Sequence, residues 1–487
     1  MSKDFEYKNY FENKNITKQG FGILGRGLGV AQFLLKNGAN VLITDNKEES
    51  FFNKQIEELR VWMDKNKIDK ERVKFVFGEH KLEDFINCDY VIQASGVPKN
   101  NIYLEAAKNN NIPVYQESSL FLKIIRDFNK NLPKEEKVKI VAITGTRGKT
   151  TTTYLIHKIL KDYFETKLKD RKIYLGGNIQ GISTIEILEK IQPKDIVVAE
   201  ADSWLLQGFE DIKFGPDIAV FTNLMRDHMN YYKDNMSEYF TDKAQIFLYQ
   251  KREDIFISTD EFPELVNKYL KKEFVSMYNN LDSNRIFIKK EEIDSDKNLF
   301  KSPLIGEHNR INISLAIRAS QSLSVKEKNI KESINDFSGV PGRLEFVKEK
   351  NGVKYYNDTT ATTGEATIAA INAFRDKEEI ILITGGRDKD LEIEDYVKKM
   401  ILEKQNKKIK KIILLNDITT TGTEKVLKKF QELNFSDFIL ASSVNEAVKL
   451  SKEDIKKGDV ILFSPGFASF GMFLNEYERG ERFLEAI

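Results

Sequence analysis

Short runs of β-branched residues alternate with longer stretches whose apolar positions recur at helical spacing, and this alternation divides the chain into three blocks. In the first block Phe21–Leu24, Val41–Thr44, Val73–Phe77, Tyr90–Ala94 and Pro113–Tyr115 are predicted strands, with helical stretches between them. A polar lysine- and glutamate-bearing segment, Asn129–Lys137, closes this block as a linker. The second block opens with Val138–Ile143 and continues through predicted strands Ile196–Ala199, Ile218–Thr222 and Ile255–Ile257, with a helix from about His308 to Leu323. The third follows Val340-Pro341-Gly342-Arg343, with strands at Val353–Tyr356, Ile380–Ile383, Ile412–Leu415 and Val460–Phe463. Between about Asp260 and Ser302 the pattern is weak. Strands separated by helix-length segments pair in parallel, because each crossover needs a helix to return the chain. The expected fold is therefore α/β in three domains: Rossmann-like over 1–135, a central P-loop-type ATPase with a parallel sheet over 136–341, and Rossmann-like again over 342–487.

Composition narrows the function classes. The chain has 487 residues, 41% hydrophobic and 31% charged, enough to bury sizeable cores. A net charge of +1 gives no general attraction for nucleic acid or membrane, so an acidic substrate must be held by local sites. Cys88 is the only cysteine, which excludes an intramolecular disulfide and a cysteine zinc site. No stretch reaches the ~18 apolar residues of a membrane span, and the first residues lack a signal-peptide core. The expected location is the cytoplasm, and the expected state a monomer.

Candidate chemistry centres on Thr144-Gly145-Thr146-Arg147-Gly148-Lys149-Thr150-Thr151. Strand, glycine loop and helix are the context of a phosphate-binding loop: the glycines turn backbone N–H groups toward phosphate oxygens, and the helix N-terminus adds its positive dipole end. Lys149 can reach the outer phosphates, and a Thr150 or Thr151 hydroxyl can meet Mg²⁺. Ile143 occupies the place of the usual first glycine, so the loop is a short one. Glu200 ends a predicted strand at the sheet edge where ligands of such folds collect, and Asp227-His228 follows another strand end. In the first block Gly25-Arg26-Gly27-Leu28-Gly29 reads as a glycine loop opening a helix, with Asp45 ending the next strand. Val30 stands where a third fingerprint glycine belongs, which favours another nucleotide's diphosphate over a nicotinamide cofactor. Ser95-Gly96-Val97-Pro98 is a second loop on the same edge, or a turn without a ligand.

Together these stretches resemble the Mur ligases, the ATP-dependent amino-acid ligases of peptidoglycan synthesis. The resemblance runs through Gly176-Gly177-Asn178-Ile179, Glu200 with Ser203, Thr222-Asn223-x3-Asp227-His228 and Tyr239-Phe240-x2-Lys243. It continues in Gly306-x-His308-Asn309-x2-Asn312, Pro341-x-Arg343-Leu344-Glu345, Asn357-Asp358-Thr359-x-Ala361-Thr362, Gly385-Gly386-x2-Lys389 and Ser464-Pro465-x2-Ala468-Ser469-Phe470-x-Met472-Phe473. Essentially the whole chain is covered in order, and the last elements are similar to members that add D-glutamate to UDP-N-acetylmuramoyl-L-alanine. The resemblance implies that Gly145, Thr146, Arg147, Gly148, Lys149, Thr150 and Thr151 hold ATP, with Asn309 and Asn312 at the adenine and Arg343 and Asp358 at phosphate and ribose. Thr150, Glu200, His228 and a carbamylated Lys243 would serve two Mg²⁺ ions, and Lys149, Glu200, His228 and Lys243 would be catalytic. Gly27, Asp45, Gly96, Asn178 and Ser203 would lie along the UDP substrate, and Thr362, Lys389, Ser469 and Phe470 would receive the amino acid.

The chain departs from the family pattern at Arg147, Asp202, Leu205, Thr360 and Glu476, and Gly342 replaces a histidine before Arg343. These departures touch substrate identity more than ATP chemistry, so a sister ligase with another amino acid or acceptor stays open. A nicotinamide dehydrogenase would leave the phosphate loop and third block unexplained, and a switch or motor NTPase would have no need of a UDP domain.

Overall fold

The computed structural model describes residues 7–22, 26–94, 96–98, 100–179, 182–300, 302–374 and 378–487. Three sheets form, one per block of the sequence pattern. The first contains β1 (Asn15–Gln19), β2 (Asn40–Asp45), β3 (Val73–Phe77), β4 (Tyr90–Gln93) and β5 (Val114–Gln116), all parallel in the order β3-β2-β1-β4-β5. The second contains β6 (Lys139–Thr144), β7 (Ile173–Gly177), β8 (Ile196–Glu200), β9 (Ile218–Phe221), β10 (Ile255–Thr259) and β11 (Asn284–Ile288), parallel in the order β11-β10-β9-β6-β8-β7. The third contains β12 (Glu345–Lys350), β13 (Val353–Asn357), β14 (Ile380–Thr384), β15 (Ile409–Leu415), β16 (Ile439–Ala441) and β17 (Val460–Phe463), in the order β12-β13-β17-β14-β15-β16, with only the β12–β13 pair antiparallel.

One expected strand is displaced. The first strand is Asn15–Gln19, not Phe21–Leu24; Ile23 and Leu24 lie outside the described residues. Ile16, Thr17, Lys18 and Gln19 are all buried, but three of the four are polar, so the apolar pattern does not mark them. The turn that follows is therefore Gly20–Gly22, with φ +79° at Gly20 and +72° at Gly22, a left-handed backbone that glycine adopts freely. Gly27 and Gly29, expected in the loop, belong to the helix Arg26–Lys36. Counted from Gly20, the sequence spells Gly20-x-Gly22-x-x-Gly25, a full dinucleotide-fingerprint spacing that begins five residues before the loop read above; Gly25 is outside the described residues.

The chain separates into two compact units: residues 1–293 with 314–330, and 294–313 with 331–487. In the first unit the two sheets share one continuous apolar cluster running from Phe11 to Tyr278. Polar ties reinforce it. The Glu117 carboxylate accepts from Ser183 Oγ and Ile185 N, both at 3.0 Å, and Gln116 Nε2 donates to the Trp204 carbonyl at 2.6 Å. In the second unit successive residues of β14 enter different clusters, Ile380 and Leu382 on one face and Ile381 and Ile383 on the other. A parallel sheet buried on both faces requires this continuous apolar run.

Candidate active site

β6 delivers the phosphate loop to the C-terminal edge of the second sheet, flanked by β8 and β9. Gly145 sits at φ +136°, and a Cβ there would lie 2.0 Å from Thr222 Oγ1, so the end of β9 presses directly on the loop. That contact makes Gly145, rather than a residue at Ile143, the position that must be glycine. Gly148, at φ +82°, ends the loop and starts the helix Lys149–Leu160. Asn223 holds the loop from the side: its carbonyl accepts from Thr146 N and its Oδ1 from Arg147 N, both at 2.9 Å. Lys149 Nζ donates to the Thr146 carbonyl at 3.0 Å, which keeps the ammonium over the loop.

The expected metal-binding pair is brought together. Glu200 ends β8 with 4% exposure, and the Thr150 hydroxyl donates to its Oε2 at 2.6 Å. Lys243 stands on the helix Met236–Leu248 and is 1% exposed rather than on the surface. Its Nζ donates to the Gly145 carbonyl at 2.9 Å and lies 4.7 Å from the Tyr239 ring centre. Burial, and secondarily the Lys149 charge, hold its pKa down at about 7 against the acidic groups Asp202, Asp227 and Asp242. His228 takes a left-handed backbone at φ +57°, with its ring centre 4.7 Å from that of Trp204 and Nε2 3.8 Å from Asp227 Oδ2. Desolvation lowers its pKa, Asp227 opposes this, and Lys243 and Lys149 add to it.

The substrate-side residues of this unit take varied places. Asn178 is exposed beside the Glu200 strand end, its N donating to the Glu200 carbonyl at 2.7 Å. Ser203 is 1% exposed in the first turn of the helix Ser203–Ile212, and Asp202 caps that helix by accepting from Leu205 N at 2.7 Å. The departure at Asp202 thus has a local structural job. On the first sheet Asp45 Oδ2 accepts from Phe21 N at 2.9 Å and braces the glycine turn. A Cβ at Gly27 would lie 1.6 Å from the Phe21 carbonyl, so the helix backbone closes tightly on that turn. Gly96 faces open space, and Gln93 bonds the Val97 carbonyl beside it.

In the second unit Asn309 and Asn312 are both buried on the helix Glu307–Ser322, with Asn312 Nδ2 donating to Asn309 Oδ1 at 3.1 Å. Asp358 is 8% exposed: its Oδ1 accepts from Leu344 N at 2.9 Å and its Oδ2 from Ser464 Oγ at 2.8 Å. Those bonds fix the segment carrying the half-buried Arg343 against the third sheet. Ser469, 4% exposed, and Phe470, 49% exposed, line a small cleft with Gly386, Arg387 and Arg479. Lys389 is exposed on the loop beyond Arg387, and Thr362 is half-buried before the helix Gly364–Asn372; neither lines that cleft.

The Mur ligase middle domain matches residues 143–320, and the Mur ligase glutamate ligase domain matches residues 342–467. A UDP-N-acetylmuramoylalanine–D-glutamate ligase of Borreliella burgdorferi is 33% identical over 97% of this chain and 97% of its own. The enzyme of that name from Clostridium tetani is 32% identical over 100% of this chain and 99% of its own. The chain belongs to the Mur ligase family. Among solved structures, the Thermotoga maritima MurF ligase in complex with ADP shares the fold, with a TM-score of 0.55 at 16% identity over 98% of this chain and 95% of that one. The Thermotoga maritima UDP-N-acetylmuramate–alanine ligase also gives 0.55, at 17% identity over 97% and 99%.

As in other Mur ligases, the nucleotide expected here is ATP, and the residues present fit the magnesium that accompanies its phosphates. The Thr150 hydroxyl and Glu200 carboxylate are hard oxygen donors side by side, and Mg²⁺ takes few protein ligands because it keeps water and phosphate oxygens. Among the described residues no three His, Cys, Asp or Glu side chains converge, as an all-protein metal cage would need. Three neighbours of the site have no role assigned by the sequence motifs. Asn223 and Tyr239 stand in the motifs without a contact, and the Tyr239 hydroxyl meets Thr146 Oγ1 at 3.2 Å across 93 residues. Arg479 is fully buried, donating to the Phe467 carbonyl at 2.9 Å and the Thr359 carbonyl at 2.6 Å. The arginine-glycine pair near the end of the chain was its only sequence signal.

Proposed function

We propose that this chain joins D-glutamate to UDP-N-acetylmuramoyl-L-alanine, with ATP cleaved to ADP and phosphate, as a step of cytoplasmic peptidoglycan precursor synthesis. The observation that carries the reading is the loop site itself, where Lys149, the Thr150–Glu200 pair and the buried Lys243 converge on Gly145–Thr150. The names of full-length relatives supply the substrates. The substrate carboxylate takes the terminal phosphoryl group of ATP to form an acyl phosphate, the amine of D-glutamate attacks that carbonyl, and phosphate leaves. Lys149 and the loop N–H groups offset charge on the transferring phosphoryl group. Thr150, Glu200 and His228 would hold magnesium, which supplies charge neutralisation at the phosphates.

Lys243 supports the reading as the site of a carbamate. An amine with its pKa at about 7 is substantially neutral at cytoplasmic pH, and the neutral amine is the form that adds CO₂, releasing a proton. The product exchanges a buried cation for a carboxylate that could complete the shell of a second Mg²⁺. In the second unit Ser469, Phe470, Thr362 and Lys389 are the residues proposed to receive D-glutamate, and Arg343 and Asp358 to meet ATP. Phosphate release assayed with ATP and UDP-N-acetylmuramoyl-L-alanine tests the whole assignment. D-glutamate should drive turnover, and L-glutamate, glycine and diamino acids should not, because a site pairing two carboxylates leaves charges unmatched when the stereocentre inverts. Turnover with only another amino acid or acceptor would make the chain a sister ligase, a result that the departures at Asp202 and Leu205 leave room for.

A further inference from the structure

Lys18 is a lysine in the middle of a Rossmann-type first strand, a place that ordinarily holds an aliphatic side chain. It is 3% exposed, and its register partners on either side, Ile43 of β2 and Ile92 of β4, are fully buried. Taking an ammonium out of water into such surroundings is costly unless it is compensated by hydrogen bonds. Its Nζ donates to the Gly20 carbonyl at 2.5 Å and lies 3.5 Å from the Gln19 carbonyl, one in the glycine turn and the other at the end of the strand that leads into it. At the turn a Cβ on Gly22 would meet nothing within 4 Å, nor would one on Gly96. The Lys18 amine thus lies within hydrogen-bond reach of the backbone where β1 passes into the glycine turn.

We propose that Lys18 sets the anion affinity of this turn, so that the diphosphate of the nucleotide substrate, more than its nucleoside, is what the first sheet recognises. The inference rests on the reading that this edge holds a uridine diphosphate. Screening is weak for a buried charge, so Lys18 acts through the Gly20 peptide on an anion it does not touch. It also offsets Asp45, whose carboxylate sits at the same turn and would otherwise repel the phosphates. Lys18 is a positioning and field residue in this account, not a catalytic one.

The test measures binding of UDP and of uridine to the full chain and to Lys18→Met and Lys18→Gln, each first checked for a native thermal midpoint. Glutamine retains a donor for the Gly20 carbonyl without the charge. Both variants should bind UDP about tenfold more weakly than wild type and uridine equally well. Their KM for the UDP substrate should rise accordingly, with kcat and the KM for ATP unchanged. Equal losses for uridine and UDP would show a purely structural role and overturn the inference, as would a Lys18→Gln protein with wild-type UDP affinity. A wild-type chain that binds uridine and UDP alike would do the same while leaving the nucleotide reading standing. If wild type binds neither, that reading falls and takes the inference with it.

Discussion

A lysine ammonium that is 1% exposed, with a second lysine as its strongest electrostatic neighbour, gives up its proton near neutrality. For Lys243 this makes two outcomes testable. Lys243→Ala should be nearly inactive in ligation and partly rescued by acetate or formate, which return oxygen ligands to the metal; Lys243→Arg should stay inactive, since a guanidinium does not add CO₂. On the proposed carbamate reading, activity should also fall as pH drops below about 7, where a protonated amine would no longer add CO₂. An active Lys243→Arg enzyme would leave the residue as a structural donor to Gly145. Lys149→Ala should abolish ATP turnover while moving the thermal midpoint by no more than about 2 °C, because it removes a half-buried charge and leaves the Gly148 turn intact. Wild-type turnover in that variant would dismiss the loop as the ATP site. Glu200→Gln should raise the magnesium concentration needed for half-maximal rate, and superimposable magnesium titrations would remove Glu200 from the metal shell.

Among the elements, the turn before β10 carries a second perturbed group. Asp254 is 7% exposed and accepts from Lys251 N at 2.7 Å, yet burial, together with the nearby Asp217 and Glu253, raises its pKa from 3.8 to about 7. A folded-state pKa above the unfolded one means that the native state binds the extra proton, so this group's contribution to stability is present below about pH 4 and lost as pH rises through 7. Asp254→Asn keeps an acceptor for Lys251 N and cannot ionise. It should melt higher than wild type at about pH 8.5 and no differently near pH 4; a pH-independent difference would mean that ionisation is not the cause. Strand signals were legible where an apolar run is buried throughout, as in Val460–Phe463, and where β-branched and aromatic residues mark a half-buried edge strand, as in Val73–Phe77; both fold over those same residues. They failed where burial falls on polar side chains, as in β1, or on glycines, as at the end of β7, or where an edge strand is charged, as in β12. The site was legible to the extent that it is local: the loop, Glu200 and the histidine follow strand ends in the sequence. The partners that tune it are not local. Lys243 meets Gly145 across 98 residues and Arg479 meets Thr359 across 120, and no periodicity encodes such pairings.

At the scale of the whole molecule, two compact units carry three sheets, and that mismatch has a thermodynamic consequence. The first two sheets share one apolar cluster, and Glu117, Gln116 and Arg126 tie the N-terminal sheet to the segments around Ile185, Trp204 and Ile212 of the second. Separating these sheets would expose that cluster to water at roughly 25 cal/mol per Å² of apolar surface, a cost that couples their unfolding. The second unit has its own clusters on both faces of the third sheet. Calorimetry should therefore resolve two transitions rather than three. If UDP binds at the first sheet as proposed, it should raise the transition that contains the phosphate loop and leave the other in place, since a ligand stabilises only the cooperative unit that binds it. At a UDP concentration of ~100 Kd the stabilisation should be about 2.7 kcal/mol. Arg479→Met should do the reverse. It strips the buried donors from the Phe467 and Thr359 carbonyls, so it should lower the second transition alone. If UDP instead shifts a third, separate transition of the N-terminal sheet, the shared cluster does not couple the two sheets, and nucleotide binding on one would carry no stabilisation to the loop on the other.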